Sequence, residues 1–125
     1  MREISRLSHL LIMRHGNAEP SAISDEDRPL SARGRSEVER IGSALFEHLR
    51  IDRIVASPLL RAQETASLIM SFYSHEIHID TCAGLSPNGI TDQVLAEFDE
   101  VVGSVLLVTH MPLVAELVRA LSGKR

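Results

Sequence analysis

The stretch SVLLVTHMP, Ser104 to Pro112, decides the fold. Val105 to Val108 are apolar without alternation, as in a parallel strand covered on both faces rather than a sheet with one wet side. The strand stops at Thr109-His110, and Pro112 then opens a helix with Leu113, Leu117 and Leu121 at helical spacing and Gly123 to end it. A buried parallel strand needs crossovers, so further strand–helix units must lie upstream. His9 to Met13 and Arg53 to Ala56 read as two more buried strands, and Glu76 to Asp80 alternates as a short fourth. Ser31 caps a helix with Val38, Ile41, Leu45 and Leu49 on one face. Ser57-Pro58 opens another, with the serine as cap, the proline at the first position, and Leu59, Ala62, Ala66 and Ile69 inward. Thr91 caps a third that carries Val94, Leu95 and Phe98. Glu19 to Pro29 and Ala83 to Gly89 are loops. The pattern predicts an α/β protein: three layers, a mostly parallel sheet flanked by helices, in one domain over 1–125.

The totals agree. The chain has 125 residues, 44% hydrophobic and 24% charged, enough for one real core. A net charge of -4 argues against a nucleic-acid partner. No apolar run approaches the ~20 residues that span a bilayer, and no signal-peptide pattern opens the chain. The single cysteine, Cys82, permits no internal disulfide and reads as a small buried residue. A cytoplasmic protein without a membrane partner is the expectation.

In open α/β sheets, ligands sit beyond the carboxyl ends of the strands. Three segments should arrive there: Arg14-His15-Gly16 after the first strand, Arg61 in the first turn of the helix after the second, and His110 after SVLLVT. Arginine forks onto two phosphate oxygens at once. Gly16 lets backbone approach an anion closely. A neutral histidine offers a nitrogen nucleophile, and covalent capture splits one displacement into two. A second histidine can donate to phosphoryl oxygens or act as acid or base. Taken singly, each of these residues reads as a strand cap or a structural side chain; together they point to phosphate.

The ordered motifs IMRHGNAE, DRPLSARGR, VASPLLRAQETA, GLSPNG and VLLVTHMPLVAELV resemble the histidine phosphatase superfamily, the phosphoglycerate mutase-like proteins, and within it the phosphohistidine phosphatases of the SixA group. The resemblance runs from Leu11 to about Leu121. It implies a phosphoglycerate mutase-like fold and catalysis without metal or cofactor. It makes His15 the nucleophile that becomes phosphorylated, Arg14 and Arg61 phosphate ligands, and His110 the second active-site histidine. Asn17 falls where the family often has a further phosphate contact, and Arg28 matches a SixA-type position that reaches phosphate or substrate. Loop capping and surface pairing are the alternative roles for these two. The resemblance also implies a further strand past the last helix. This chain stops at Ser122-Gly123-Lys124-Arg125, as a naturally short member or a truncated one, and a sheet edge is then left open.

One departure bears on the substrate. Many family members carry a carboxylate just after the third strand to protonate an alkoxide. Gly84-Leu85-Ser86-Pro87-Asn88 has none, and Asp80 and Asp92 only flank it. An alkoxide is a poor leaving group unprotonated, water itself having a pKa of about 15.7. Imidazolium has one of about 6.5, so a phosphorylated ring acquires its proton near neutral pH unaided. Transfer between two histidines also exchanges like bonds. Protein phosphohistidine is therefore the expected substrate, on a phosphotransfer domain or phosphocarrier protein, and a monomer is the expected state. The rivals are a small-molecule phosphomonoesterase or mutase, which the missing acid disfavours, and a silent phosphoprotein-binding module, which needs neither histidine. His75 and His78 could suggest a metal site, but HEIHI reads as a strand with no convergent third ligand.

Overall fold

A computed structural model of the chain describes residues 9–122. Four strands, β1 (His9–Arg14), β2 (Arg53–Ala56), β3 (His78–Thr81) and β4 (Ser104–Thr109), form one sheet in the order β1-β4-β2-β3. Every pairing is parallel, with Arg14 beside Thr109 and Ala56 beside Val108. The helices are α1 (Ala32–His48), α2 (Leu60–Met70), α3 (Thr91–Glu97) and α4 (Leu113–Ser122), with 3-10 turns at Asp25–Asp27 and Ala83–Leu85.

β4 shows why its sequence carries no alternation. All six of its residues are buried. Leu106 and Val108 pack with Val38, Ile54, Ala62, Ala66 and Ile69 under α1 and α2. Val105 and Leu107 pack with Val94, Phe98, Leu113 and Leu117 under α3 and α4. These are the three expected layers. A leucine truncated to alanine in such a strand costs about 2–5 kcal/mol, a large part of a small domain's stability.

Several boundaries and faces differ from the expectation. The inner face of α1 is Gly34, Val38 and Gly42, while Ile41 is 43% exposed. Hydrophobic periodicity cannot see this face, because its packing rests on absent side chains. A Cβ on Gly34 would lie 2.0 Å from the Asn17 carbonyl oxygen, and one on Gly42 would lie 2.5 Å from the Phe72 ring. Ser31 does cap α1, accepting from the Gly34 N–H at 3.0 Å. α2 begins at Leu60 rather than at Pro58; Ser57 still accepts from the Leu59 N–H, and its hydroxyl also meets His110. Thr91 is the first residue of α3 rather than its cap, and its hydroxyl donates to Glu116. Leu113 and Leu117 are buried as expected, but Leu121 is 47% exposed beside Leu10 and Ile12. The fourth predicted strand is shorter and later, at His78–Thr81, the stretch that pairs with the four residues of β2. Gly123 and the segment after it lie outside the described residues.

Candidate active site

The parallel sheet delivers three chain segments to one end. β1 ends with Arg14, and the ladder to β4 continues one residue further, His15 N–H donating to the Thr109 carbonyl at 3.1 Å. β4 ends with Thr109, whose hydroxyl donates to the Leu85 carbonyl at 2.6 Å, and His110 follows. Ser57 extends β2 in the same way, its N–H donating to the Val108 carbonyl at 3.0 Å. His15 and His110 therefore meet, ring centroids 4.9 Å apart and planes tilted by 59°.

Each ring is held differently. His15 Nδ1 lies 2.7 Å from the Gly16 carbonyl oxygen. A carbonyl only accepts, so Nδ1 carries the ring proton and Nε2 of the neutral ring keeps its lone pair. Burial pushes the His15 pKa below that of a free histidine. The Gly16 carbonyl opposes the shift, and Arg61, Arg14 and Arg28 add to it. His110 is 2% exposed, with Nε2 2.7 Å from Ser57 Oγ. Burial, then the charges of His15 and Arg61, bring its pKa down to about 4. The Leu59 N–H donates to the same Ser57 oxygen at 3.2 Å. When the serine hydrogen goes to His110 Nε2, the ring proton sits on Nδ1. His110 Nδ1 is the one buried side-chain nitrogen or oxygen among the described residues without a hydrogen-bond partner.

The arginines surround this pair. Arg14 is exposed and shares a hollow of about 250 Å³ with His15, Gly16, Asn17, Arg33 and Glu37. The Arg61 side chain is only 7% exposed, and it donates to the Asp25 carbonyl at 2.8 Å and to Asp25 Oδ2 at 3.2 Å. Arg28 donates to Asp25 Oδ1 at 2.8 Å and to the Glu19 carbonyl at 2.7 Å. Arg28 first and Arg61 second hold the Asp25 carboxyl below the usual carboxylate range. Thr65 joins the segments, donating to the Arg61 carbonyl at 2.7 Å and accepting from the Gly16 N–H at 3.0 Å.

Arg14, His15, Arg61 and His110 thus share one locality, and Arg28 reaches it through Asp25. Two residues take other duties. The Gly16 N–H is spent on Thr65, and a Cβ there would lie 2.7 Å from Val38, so close packing against α1 explains this glycine. Asn17 gives its amide to Ser31 Oγ at 2.8 Å, and its carbonyl accepts from the Ser31 N–H, which makes it a loop brace. Sequence reasoning missed Ser57, Thr65 and Asp25. Asp25 stands three residues before Arg28, a spacing that suits an ion pair. Nothing in the sequence marks Ser57 as a histidine partner rather than a cap. His78 is exposed beside Glu76, and no group of three or more His, Cys, Asp or Glu able to hold a metal occurs among the described residues.

Two histidines with flanking arginines at the carboxyl end of a parallel α/β sheet have the chemistry of a histidine-centred phosphate enzyme. The model of the histidine phosphatase superfamily (branch 1) matches residues 10–87. The chain belongs to this family. It is 38% identical over 129 residues to the phosphohistidine phosphatase SixA homolog of Haemophilus influenzae, covering 94% of this chain and 79% of that one. It is 33% identical over 117 residues to phosphohistidine phosphatase SixA of Escherichia coli, covering 90% of this chain and 73% of that one. The structure of the protein histidine phosphatase SixA complexed with tungstate superposes with a TM-score of 0.82 at 34% identity, covering 88% of this chain and 74% of that chain.

Proposed function

We propose that the protein is a protein phosphohistidine phosphatase acting through a phospho-His15 intermediate. The observation that carries this reading is the His15 ring, pinned through Nδ1 to the Gly16 carbonyl, with Nε2 left unprotonated beside His110 and the arginines. In the first step His15 Nε2 attacks phosphorus in line. The P–N bond to the substrate ring breaks, and that ring, protonated on its other nitrogen, leaves as neutral imidazole. In the second step water attacks phosphorus, the P–N pair returns to Nε2, and the water proton passes to solvent. Arg14 and Arg61 neutralise the phosphoryl oxygens, and a phosphoryl oxygen supplies the partner that His110 Nδ1 lacks. The likeness to the SixA proteins, one of them bound to tungstate, a tetrahedral oxyanion like phosphate, supports the same reading.

The leaving-group side supports phosphohistidine over an ester. Leu85 is buried, and Ser86, Pro87 and Asn88 line a cleft of about 600 Å³ together with Asp25, Glu26, Pro58 and Leu59. Asp80 is turned away into an ion pair with Arg53 at 2.9 Å. The carboxylates that line this cleft, Asp25 and Glu26, come from the 3-10 turn and not from the Gly84–Asn88 segment, and in the resting protein Asp25 accepts from Arg28 and Arg61. The partner in this proposal is a phosphotransfer domain or phosphocarrier protein. A cytoplasmic setting and a monomeric state belong to the same proposal. The test follows phosphate release from a phosphohistidine-bearing phosphotransfer domain, from phosphoserine and from phosphoglycerate. Release from phosphohistidine alone is expected. Turnover of the esters instead would remove the substrate assignment.

A further inference from the structure

Resting on that reading of the site, we propose that Asp25 is an internal anion. It holds Arg61 and Arg28 in the resting protein, is displaced by the arriving phosphoryl group, and on returning expels product phosphate. Its two carboxylate oxygens are divided between two guanidinium groups, Oδ1 on Arg28 and Oδ2 on Arg61. This is how a phosphoryl group bridges paired arginines. Both terminal nitrogens of Arg61 already donate to Asp25, one to its carboxylate and one to its carbonyl. A phosphoryl group that is to be held by Arg61 must take these donors over.

Burial decides which partner yields. The Arg61 side chain is 7% exposed and that of Asp25 61%. The turn Asp25–Asp27 contains no buried residue, so it can swing outward without opening either core. Arg61 is anchored in α2, whose inner face lies in the core. The exchange replaces one anion by another, so the buried guanidinium never stands uncompensated. After hydrolysis the tethered carboxylate competes with free phosphate at a high effective concentration set by its short loop. A plug that occupies the arginines for about nine-tenths of the time weakens apparent phosphate affinity about tenfold.

The test is isothermal titration calorimetry of the full chain with inorganic phosphate, comparing the native protein with Asp25→Ala, Asp25→Asn and Arg61→Ala. Asp25 lies outside the core, so its variants keep the fold. Asp25→Ala should bind phosphate about tenfold more tightly, with Asp25→Asn between it and the native chain, since an amide oxygen keeps one weaker contact to arginine. The inhibition constant of phosphate in turnover of a phosphohistidine domain should fall in parallel. Unchanged or weaker binding by Asp25→Ala, with Arg61→Ala still abolishing it, would overturn the proposal: the carboxylate would then be propping Arg61 in place. Binding that is the same with and without Arg61 would remove the phosphate reading of the site itself, and the proposal with it.

Discussion

β1 and β4 run side by side in register, and a histidine follows each, yet the two histidines are held by opposite means. Among the described residues β1 pairs with β4 alone, and its last residue, Arg14, is exposed; β4 lies between β1 and β2, with its last residue, Thr109, fully buried. The same contrast continues one residue further. His15 is half-buried and tied to the backbone of its own neighbour. His110 is buried and tied to a side chain 53 residues away. The two rings differ in access to solvent, and access suits each ring to a task. In the proposed reaction the nucleophile must be reached by a phosphoryl group carried on another protein, so the more exposed ring suits that task. A neutral donor works best where water is excluded, so it belongs in the interior.

The largest effect should come from breaking the exposed side. His15→Ala removes the nucleophile and should lower phosphate release from a phosphohistidine domain by about a thousandfold or more. Loss of His110 should be less severe. His110→Asn should cost about 10²–10⁴ in rate, as expected for a donor or acid–base group, while His15 still takes a radiolabelled phosphoryl group from substrate. Label recovered on His110 instead would reverse the comparison.

A smaller effect should come from the support of the interior ring. Ser57→Ala removes the partner of His110 Nε2 and leaves the ring free to change tautomer. The expected loss is about five- to tenfold in kcat, the rate equivalent of ~1 kcal/mol, with KM little changed. Ser57→Thr, which keeps the hydroxyl, should recover most of it. If Ser57→Ala raises KM alone, the serine shapes the cleft rather than the ring.

This contrast was only partly legible in the sequence. Unbroken apolar runs showed β2 and β4, and the placement of Arg14, His15, Arg61 and His110 after strands or at a helix start brought them together, because strand ends and helix starts are local features. What stayed hidden depends on contacts between distant segments. Ser57 reads as a helix cap because Ser-Pro has that local meaning, and only the β2–β4 pairing shows that it faces His110. Asp25 sits in an acidic loop with no periodicity, and its tie to Arg61 spans 36 residues. The glycine face of α1 escaped for a different reason: close approach of backbone leaves no hydrophobic signal, as Gly34 against Asn17 shows.

The smallest effect, a pH dependence, sharpens the comparison most finely. Both histidines have pKa values below the ordinary 6.5, His110 at about 4. An unfolded chain binds protons on these rings as pH falls through 6.5, while the folded chain still excludes them. Over that window the unfolded state holds more protons, so stability rises with pH. The contribution is present in full above 6.5 and is lost as pH falls toward about 4. Urea unfolding between pH 4.5 and 7.5 should show this slope, and His110→Asn should flatten it, leaving the part due to His15. For activity, the acid limb of kcat/KM, which reports the free enzyme, should lie below 6.5, because His15 keeps its Nε2 lone pair at pH values where a surface histidine is largely protonated. His110→Asn also removes a neighbouring ring whose protonation would disfavour that of His15. Its residual activity should therefore show the same limb or one slightly higher. A limb that instead drops well below that of the native chain would mean that the proton first lost to activity sits on the buried ring, and that the half-buried histidine is the better shielded of the two.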